Sequence, residues 1–316
     1  MTVRRAVHDP TLRARVIDVR PLHYAAGADA ALDRPAHVRA GSALARVGSR
    51  LVVVQDDASF FAVWDGAVVD SVALPSDGGQ RSFDDARGNK AAKLDLEAAF
   101  ALPDGTVFAL GSGSTRARER IAVLEPNGSA QLFAAPAFYE ALRADAAFAG
   151  SELNLEGIAL FEGGLVLFQR GNGAPRGELL PRDATARVSL DGWRAFVAGG
   201  PVPPIEDVVE WDLGSIDGVR LTFTDGVGAF GTLHYLAAAE ASPDAVADGP
   251  VAGVALGVLG ETPRYAIVED ERGRFLGKAE GLAFDPSDRR RAYLVIDRDD
   301  PERAAELCTV QLEGPW

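Results

Sequence analysis

Short apolar runs recur along the chain at 51–54, 106–110, 165–168, 232–238 and 292–296, each bounded by Gly, Pro, Asp or Asn. Runs of this length, rich in β-branched and aromatic residues, predict strands buried on both faces rather than pieces of helix. Turn signals separate them: LPDG at 102–105, EPNG at 125–128, EGG at 162–164 and DPSD at 285–288. Only 138–148 carries a helical pattern, with Phe138, Leu142 and Phe148 on one face. A βαβ fold needs such a pattern after nearly every strand. The chain therefore reads as all-β.

A longer repeat is superposed on these runs. The segments 95–114, 154–172 and 278–299 share one plan: a strand opening on x-x-Glu, a turn, and an apolar return strand that ends on a polar group. Weaker copies lie at 41–57 and 219–240. In this alignment Ser42, Glu97, Glu156, Arg220 and Glu280 are equivalent, at separations of 55, 59, 64 and 60 residues. Regularly spaced short strands, four to a repeat, predict a β-propeller. Five repeats predict five blades in one domain over 1–316, at roughly 41–75, 95–137, 152–213, 219–270 and 278–316. The last repeat has three strands, and the strand-like 15–22 (RVIDVRPL) supplies its fourth, closing the ring and covering a sheet edge. Six blades remain the alternative if 207–213 and 265–270 are not outer strands.

Composition narrows the function classes. The 316 residues are 47% hydrophobic and 25% charged, and 32 Lys plus Arg against 46 Asp plus Glu leave a net charge of −14. Nucleic acid is a poor partner for such a chain, because phosphate binding wants a basic stripe. A single cysteine, Cys308, excludes a disulfide framework, and four histidines leave little for His-rich metal sites. No apolar run has membrane-spanning length, and the charged start MTVRRAVHDP has no secretory h-region. A cytoplasmic monomer without membrane contact is the expectation.

The Asn154-Leu-Glu156-Gly157 and Lys278-Ala-Glu280-Gly281-Leu-Ala283 segments, with the ending Asp297-Arg-Asp-Asp300-Pro, resemble the phytase-like (esterase-like) bacterial β-propellers. They resemble more closely a bacterial propeller family of unknown function. The resemblance runs from about residue 40 to the end and implies a propeller with a polar central channel. It transfers no metal ligands, because the phytase ligand positions do not match here one by one.

In a blade the innermost strand starts at the face where the second strand ends. The strand starts Ser42, Glu97, Glu156, Arg220 and Glu280 are thus expected beside the strand ends Asp56, Ser112, Arg170, Glu240 and Asp297. Side chains two apart share a strand face, which adds Asp95, Asn154 and Lys278. Lys93 and Lys90, in the loop 76–94, are placed to cover the mouth. In one reading Glu97, Glu156 and Glu280 hold Ca²⁺ or another divalent cation, which takes oxygen ligands and can polarise a phosphoryl or ester oxygen. Arg170 and Lys278 would then bind a small anionic substrate of a hydrolase. In the other reading the acids pair with the interspersed cations, and the mouth of a non-enzymatic propeller binds a small molecule or protein.

Other motifs fail on context. Gly226-Val-Gly228-Ala-Phe-Gly231 spells GxGxxG but leads into TLHYLAA rather than a helix, so a hairpin turn is expected. Ser112 lies in no GxSxG elbow. Asp297-x-Asp299-Asp300 has Glu302 where a Ca²⁺ loop of the EF-hand type needs Gly. His234, within an apolar strand, reads as a core residue.

Overall fold

The computed structural model describes residues 3–241 and 249–316. The connection 242–248, inside the fourth repeat, lies outside the described residues. Four antiparallel strands follow each of the five repeats, and the strands of the last two repeats join into one larger sheet where Ala14 and Arg15 pair in parallel with Val268 and Glu269. The first set of four is β2 (Gly41–Val47), β3 (Arg50–Gln55), β4 (Phe60–Trp64) and β5 (Val69–Ala73). The second is β6 (Leu96–Ala101), β7 (Val107–Gly111), β8 (Arg120–Leu124) and β9 (Ala130–Ala134). The third is β10 (Leu155–Phe161), β11 (Gly164–Gln169), β12 (Asp183–Ser189) and β13 (Glu206–Asp212). The fourth is β14 (Val219–Ala229), β15 (Thr232–Glu240), β16 (Val251–Leu259) and β17 (Arg264–Asp270). The fifth is β18 (Lys278–Asp285), β19 (Asp288–Asp297) and β20 (Glu306–Glu313), completed by β1 (Arg13–Pro21) from the N-terminal segment.

The first strands touch in a closed ring, β2 to β6 to β10 to β14 to β18 and back to β2. This is a β-propeller. The segments 207–213 and 265–270 fall on outer strands, as the five-sheet arrangement requires. Burial falls from the axis outward: β2 is buried over its first five residues, whereas β9 has no buried residue. That gradient is why the inner strands read as continuous apolar runs.

Apolar side chains of successive sheets interleave to form the core. Phe61 and Val54 meet Ala109 and Ala122 between the first two sheets, and Phe168 meets Phe223 and Tyr235 between the third and fourth. Between the second and third sheets the gap is wider and helices fill it. The helical pattern resolves into α1 (Pro136–Ala144) and α2 (Ala146–Ala149), with Asp145 accepting from Ala147 and Phe148 N–H as the cap of α2. A third helix, α3 (Leu190–Val197), escapes the sequence pattern; its Trp193 is fully buried against Phe100, Phe108 and Phe138.

The GxGxxG segment is explained by packing. A Cβ on Gly226 would stand 2.1 Å from the Phe168 ring, and one on Gly228 would stand 2.4 Å from the Leu160 carbonyl oxygen. Phe230 and Gly231, at φ 54° and 77°, form the two-residue turn between β14 and β15. No helix among the described residues is long and apolar enough to cross a membrane.

The N-terminal segment binds three sheets together. Arg4–Arg5 pairs in parallel with Trp211 and Asp212 of β13, and Val7–His8 with Arg264 and Tyr265 of β17. β1 then pairs antiparallel with β20 from Arg13↔Glu313 to Pro21↔Glu306. Leu12, Ala14, Val16 and Leu22 are buried by this docking. Deleting residues 1–22 strips a sheet edge and exposes apolar surface. We expect loss of soluble protein, or a melting temperature lower by about 10 °C or more. A truncated chain that melts like the full one would show that the strap does not hold the ring.

Candidate functional site

One irregularity recurs at the same place in every sheet and builds the site. Where the innermost strand begins, pairing skips a residue: Gly41/Ala43, Leu96/Ala98, Leu155/Gly157, Phe223/Asp225 and Ala279/Gly281. The skipped residues are Ser42, Glu97, Glu156, Thr224 and Glu280. A β-bulge of this kind re-aims one side chain. Ser42, Glu97, Glu156 and Glu280 are thus equivalent, as the repeat predicts, and in the fourth sheet the equivalent residue is Thr224, not Arg220. Arg220 lies four residues earlier, half-exposed, and pairs with the buried Asp183.

A cavity of about 270 Å³ opens at this end of the channel. Its lining includes Ser42, Asp56, Lys93, Asp95, Glu97, Asn154, Glu156, Arg170, Lys278, Glu280 and Asp297, so the structure gathers these expected residues at one mouth. Arg220 and Glu240 are not in the lining. Glu240 instead lies behind it, its side chain 2% exposed, accepting from Arg170 at 2.6 Å. Arg39, Asp57, Arg118, Asn172 and Asp299 also line the cavity. Arg39 and Arg118 come from loops outside the aligned segments, whereas Asp57, Asn172 and Asp299 lie one or two residues past the strand ends Asp56, Arg170 and Asp297.

Arg170 is a hub. Its guanidinium reaches Glu240, Glu156 at 3.5 Å and the Thr222 hydroxyl at 3.1 Å. Burial opposes its charge, but Glu156, Glu280 and Glu240 outweigh that and raise its pKa. Asn154 Nδ2 donates to Glu156 at 2.6 Å. Lys278 contacts Asp299 at 2.7 Å and Asp297 at 3.6 Å.

On the opposite wall Asp56, Asp95 and Glu97 bring carboxylate oxygens within 4.8 Å of one another. The ligand set expected from sequence was Glu97, Glu156 and Glu280. Among the described residues the one acidic cluster of metal-binding size contains only Glu97 of these three. Lys93 Nζ stands between Asp56 at 2.6 Å and Asp95 at 2.8 Å, and Arg118 reaches Asp95 at 3.0 Å. The Ser112 hydroxyl also donates to Asp95.

The acids outnumber the cationic side chains of the lining, and burial raises the pKa values of Asp57, Glu97, Glu156, Glu280 and Asp297. Burial, then Asp95 and Asp56, hold the Glu97 carboxyl well above the usual range. Burial does the same to Glu280, against the pull of Arg170 and Lys278. Glu156 is pushed up to about 7 by burial despite Arg170, and Asp297 to about 7 by burial despite Lys278. Asp57 reaches about 7 through burial and the neighbouring Asp56.

The glycines after Glu156 and Glu280 have a structural role. A Cβ on Gly157 would lie 2.8 Å from the Gly226 backbone nitrogen, and one on Gly281 would lie 2.8 Å from the Ala43 and Leu44 backbone. They let neighbouring sheets approach. His234 is a buried core residue packed on Phe284 at 4.4 Å between ring centroids, and burial lowers its pKa to about 4.

Fold and mouth together define the class: a β-propeller with a carboxylate-rich channel opening. The family of unknown function DUF6929 matches residues 37–312, and the chain belongs to it. No functionally curated protein matches. Among solved structures it is similar to glutaminyl cyclase from Myxococcus xanthus, at 10% identity and TM-score 0.45 with 100% of each chain covered. It is also similar to the PQQ-bound aldose sugar dehydrogenase from Streptomyces coelicolor, at 13% identity and TM-score 0.41, covering 97% of this chain and 100% of that one. Streptogramin B lyase, at 9% identity and TM-score 0.40, covers 94% of this chain and 98% of that one. Likeness at this level says nothing of activity.

Two predictions follow from the charges. A carboxyl whose pKa is raised on folding binds more protons folded than unfolded, so stability falls as pH rises from its unfolded value to its folded one. For Glu156, Asp297 and Asp57 that window runs from about 4 to about 7. Asp33, Asp84 and Asp285, lowered by their hydrogen bonds, lose their contribution below about 4. Thermal melts across pH should peak near about pH 5 and decline towards about pH 8; a peak at neutral or alkaline pH would contradict the assignment.

The second concerns two glutamates of unlike surroundings. Glu240→Gln breaks a buried pair from one side, an effect of about 3–5 kcal/mol, and should lower the melting temperature by about 5–7 °C. Glu97 has no hydrogen-bond partner among the described residues, so Glu97→Gln should leave the melting temperature unchanged or raise it at about pH 8. Equal losses in both variants would refute the distinction.

Proposed function

We propose that this protein is a ligand-binding propeller whose channel mouth receives the cationic group of a small polar ligand. The observation that carries the reading is the charge imbalance of the cavity, where eleven carboxyl side chains face six cationic ones. Anionic ligands, the sequence expectation, would meet Lys93 and Arg170 already engaged by acids. An incoming positive charge relieves the repulsion among the carboxylates, and a low-dielectric cleft of one sign concentrates the opposite charge.

A second reading, a phytase-like metal-dependent hydrolase, draws on the Asp56, Asp95 and Glu97 cluster. Ca²⁺ takes six to eight oxygen ligands, and here it would have to share two of the three carboxylates with Lys93. That disfavours the metal relative to a ligand that carries its own hydrogen-bond donors.

Thermal-shift and calorimetric titrations of the full chain decide between them. Binding that saturates about 100-fold above its dissociation constant stabilises by about 2.7 kcal/mol, a rise of about 4 °C. The expected rise is with 1,4-diaminobutane or methylammonium and not with inorganic phosphate. Stabilisation by phosphate alone would overturn the reading. Phosphate release from a phosphomonoester in the presence of Ca²⁺ would replace it with the hydrolase.

A further inference from the structure

The long connection between the first two sheets, from Ala73 to Leu96, carries one side chain into the channel. Lys93 is 8% exposed, while residues 85–88 and 90–92 of the same loop are exposed. The loop is pinned near its start, where Arg39 donates to the Phe83 carbonyl at 3.0 Å and pairs with Asp84 at 3.3 Å and with Asp57 at 2.6 Å. Beyond that point it is held by polar contacts: Asn89 to Ser82, Lys90 to Asp85, and Lys93 to the two aspartates. Opening it between Asp84 and Lys93 uncovers no buried apolar side chain, while Leu94 stays packed on the core between the first two sheets; a segment held this way has a low local opening energy.

We propose that Lys93 is a tethered occupant of the mouth's cation site, and that the ligand presents a primary ammonium to Asp56, Asp95 and Glu97 in its place. The inference rests on the cation-binding reading above and specifies its ligand. The site already accommodates an ammonium, hydrogen-bonded to Asp56 at 2.6 Å and ion-paired with Asp95 at 2.8 Å. An ammonium has three donors, and Glu97, beside these two acids, has no hydrogen-bond partner among the described residues.

A second, separate feature of the cavity points to a ligand. Glu280 is 5% exposed, lines the same cavity, and its Oε2 has no hydrogen-bond partner among the described residues. A buried unsatisfied oxygen costs about 1–3 kcal/mol. A ligand bearing a second donor, an amine or a hydroxyl, would satisfy it. The ligand class is thus a small amine with a second hydrogen-bond donor, and an internal competitor reduces its apparent affinity by the fraction of time Lys93 fills the site.

Calorimetry of wild type, Lys93→Met and Lys93→Met/Glu97→Gln with 1,4-diaminobutane tests this, with CaCl₂ as a parallel arm. The methionine keeps the stem and removes the competitor. Lys93→Met should bind the diamine at least about 10-fold more tightly than wild type, and the added Glu97→Gln should remove most of that gain. Affinity equal to or weaker than wild type overturns the role of Lys93 while leaving cation binding intact. A gain confined to Ca²⁺ overturns the ammonium assignment. Absence of any cation binding in all three proteins sinks the proposed function itself.

Should Lys93→Met fail to fold, limited trypsin digestion of wild type serves instead. Displacing Lys93 should speed cleavage after Arg87 and Lys90 several-fold when the diamine is added. A cleavage rate unchanged by saturating diamine overturns the proposal.

Discussion

The closeness of the five innermost strands at the channel axis governs everything else in this molecule. At Gly157 and Gly281 the neighbouring sheet's backbone stands where a side chain would begin. A side chain at either position would meet the next sheet's backbone, whereas the equivalent residues Ala43, Ala98 and Asp225 of the other sheets carry one. One residue is left out of register in each sheet, and its side chain is turned into the channel. The ring of chemistry at the mouth therefore follows the ring of strands.

Neighbouring sheets are also linked by carboxylates aimed at backbone. Asp225 is fully buried and accepts from Gly226 N–H at 2.7 Å and Leu282 N–H at 2.7 Å, linking the fourth sheet to the fifth. Asp183 accepts from Gly171 and Phe223 N–H and pairs with Arg220, linking the third to the fourth. Desolvation raises the pKa of both. Backbone donors, fixed in place by the sheets, are what make such buried acids tolerable. Arg170 does the same work for Glu156 and Glu240 with a charge. Structural and site acids thus differ in their partners rather than in their burial.

How much of this was legible follows from what a repeat can reveal. The fold was readable because inner strands are buried on both faces and return at near-constant spacing, and because a spare strand at the front matched a missing one at the back. Most of the mouth was readable because Glu97, Glu156 and Glu280 keep one residue type at one position. The fourth sheet broke the pattern. Its first strand runs eleven residues and puts a threonine at the bulge, so an alignment seeking a charged residue settled on Arg220. Helix α3 was hidden because LDGWRAFV is short and follows a strand without a break. Arg39 and Arg118 sit in loops that no other repeat copies.

The substitution of hydroxyls for acids at two bulges is not neutral variation. Ser42 Oγ donates to the Leu96 carbonyl at 2.5 Å, and Thr224 Oγ1 donates to the Ala279 carbonyl at 2.9 Å. Leu96 and Ala279 immediately precede Glu97 and Glu280. Each hydroxyl therefore fixes the backbone that presents the next sheet's glutamate, without engaging the glutamate's own carboxyl. Glu156 follows a sheet whose bulge residue is Glu97, which has no hydroxyl to offer, and it is held through its side chain by Asn154 and Arg170. The outcome is an ordered division. The glutamate positioned by its side chain is engaged, while among the described residues Glu97 and the Oε2 of Glu280, both positioned through backbone, have no hydrogen-bond partner.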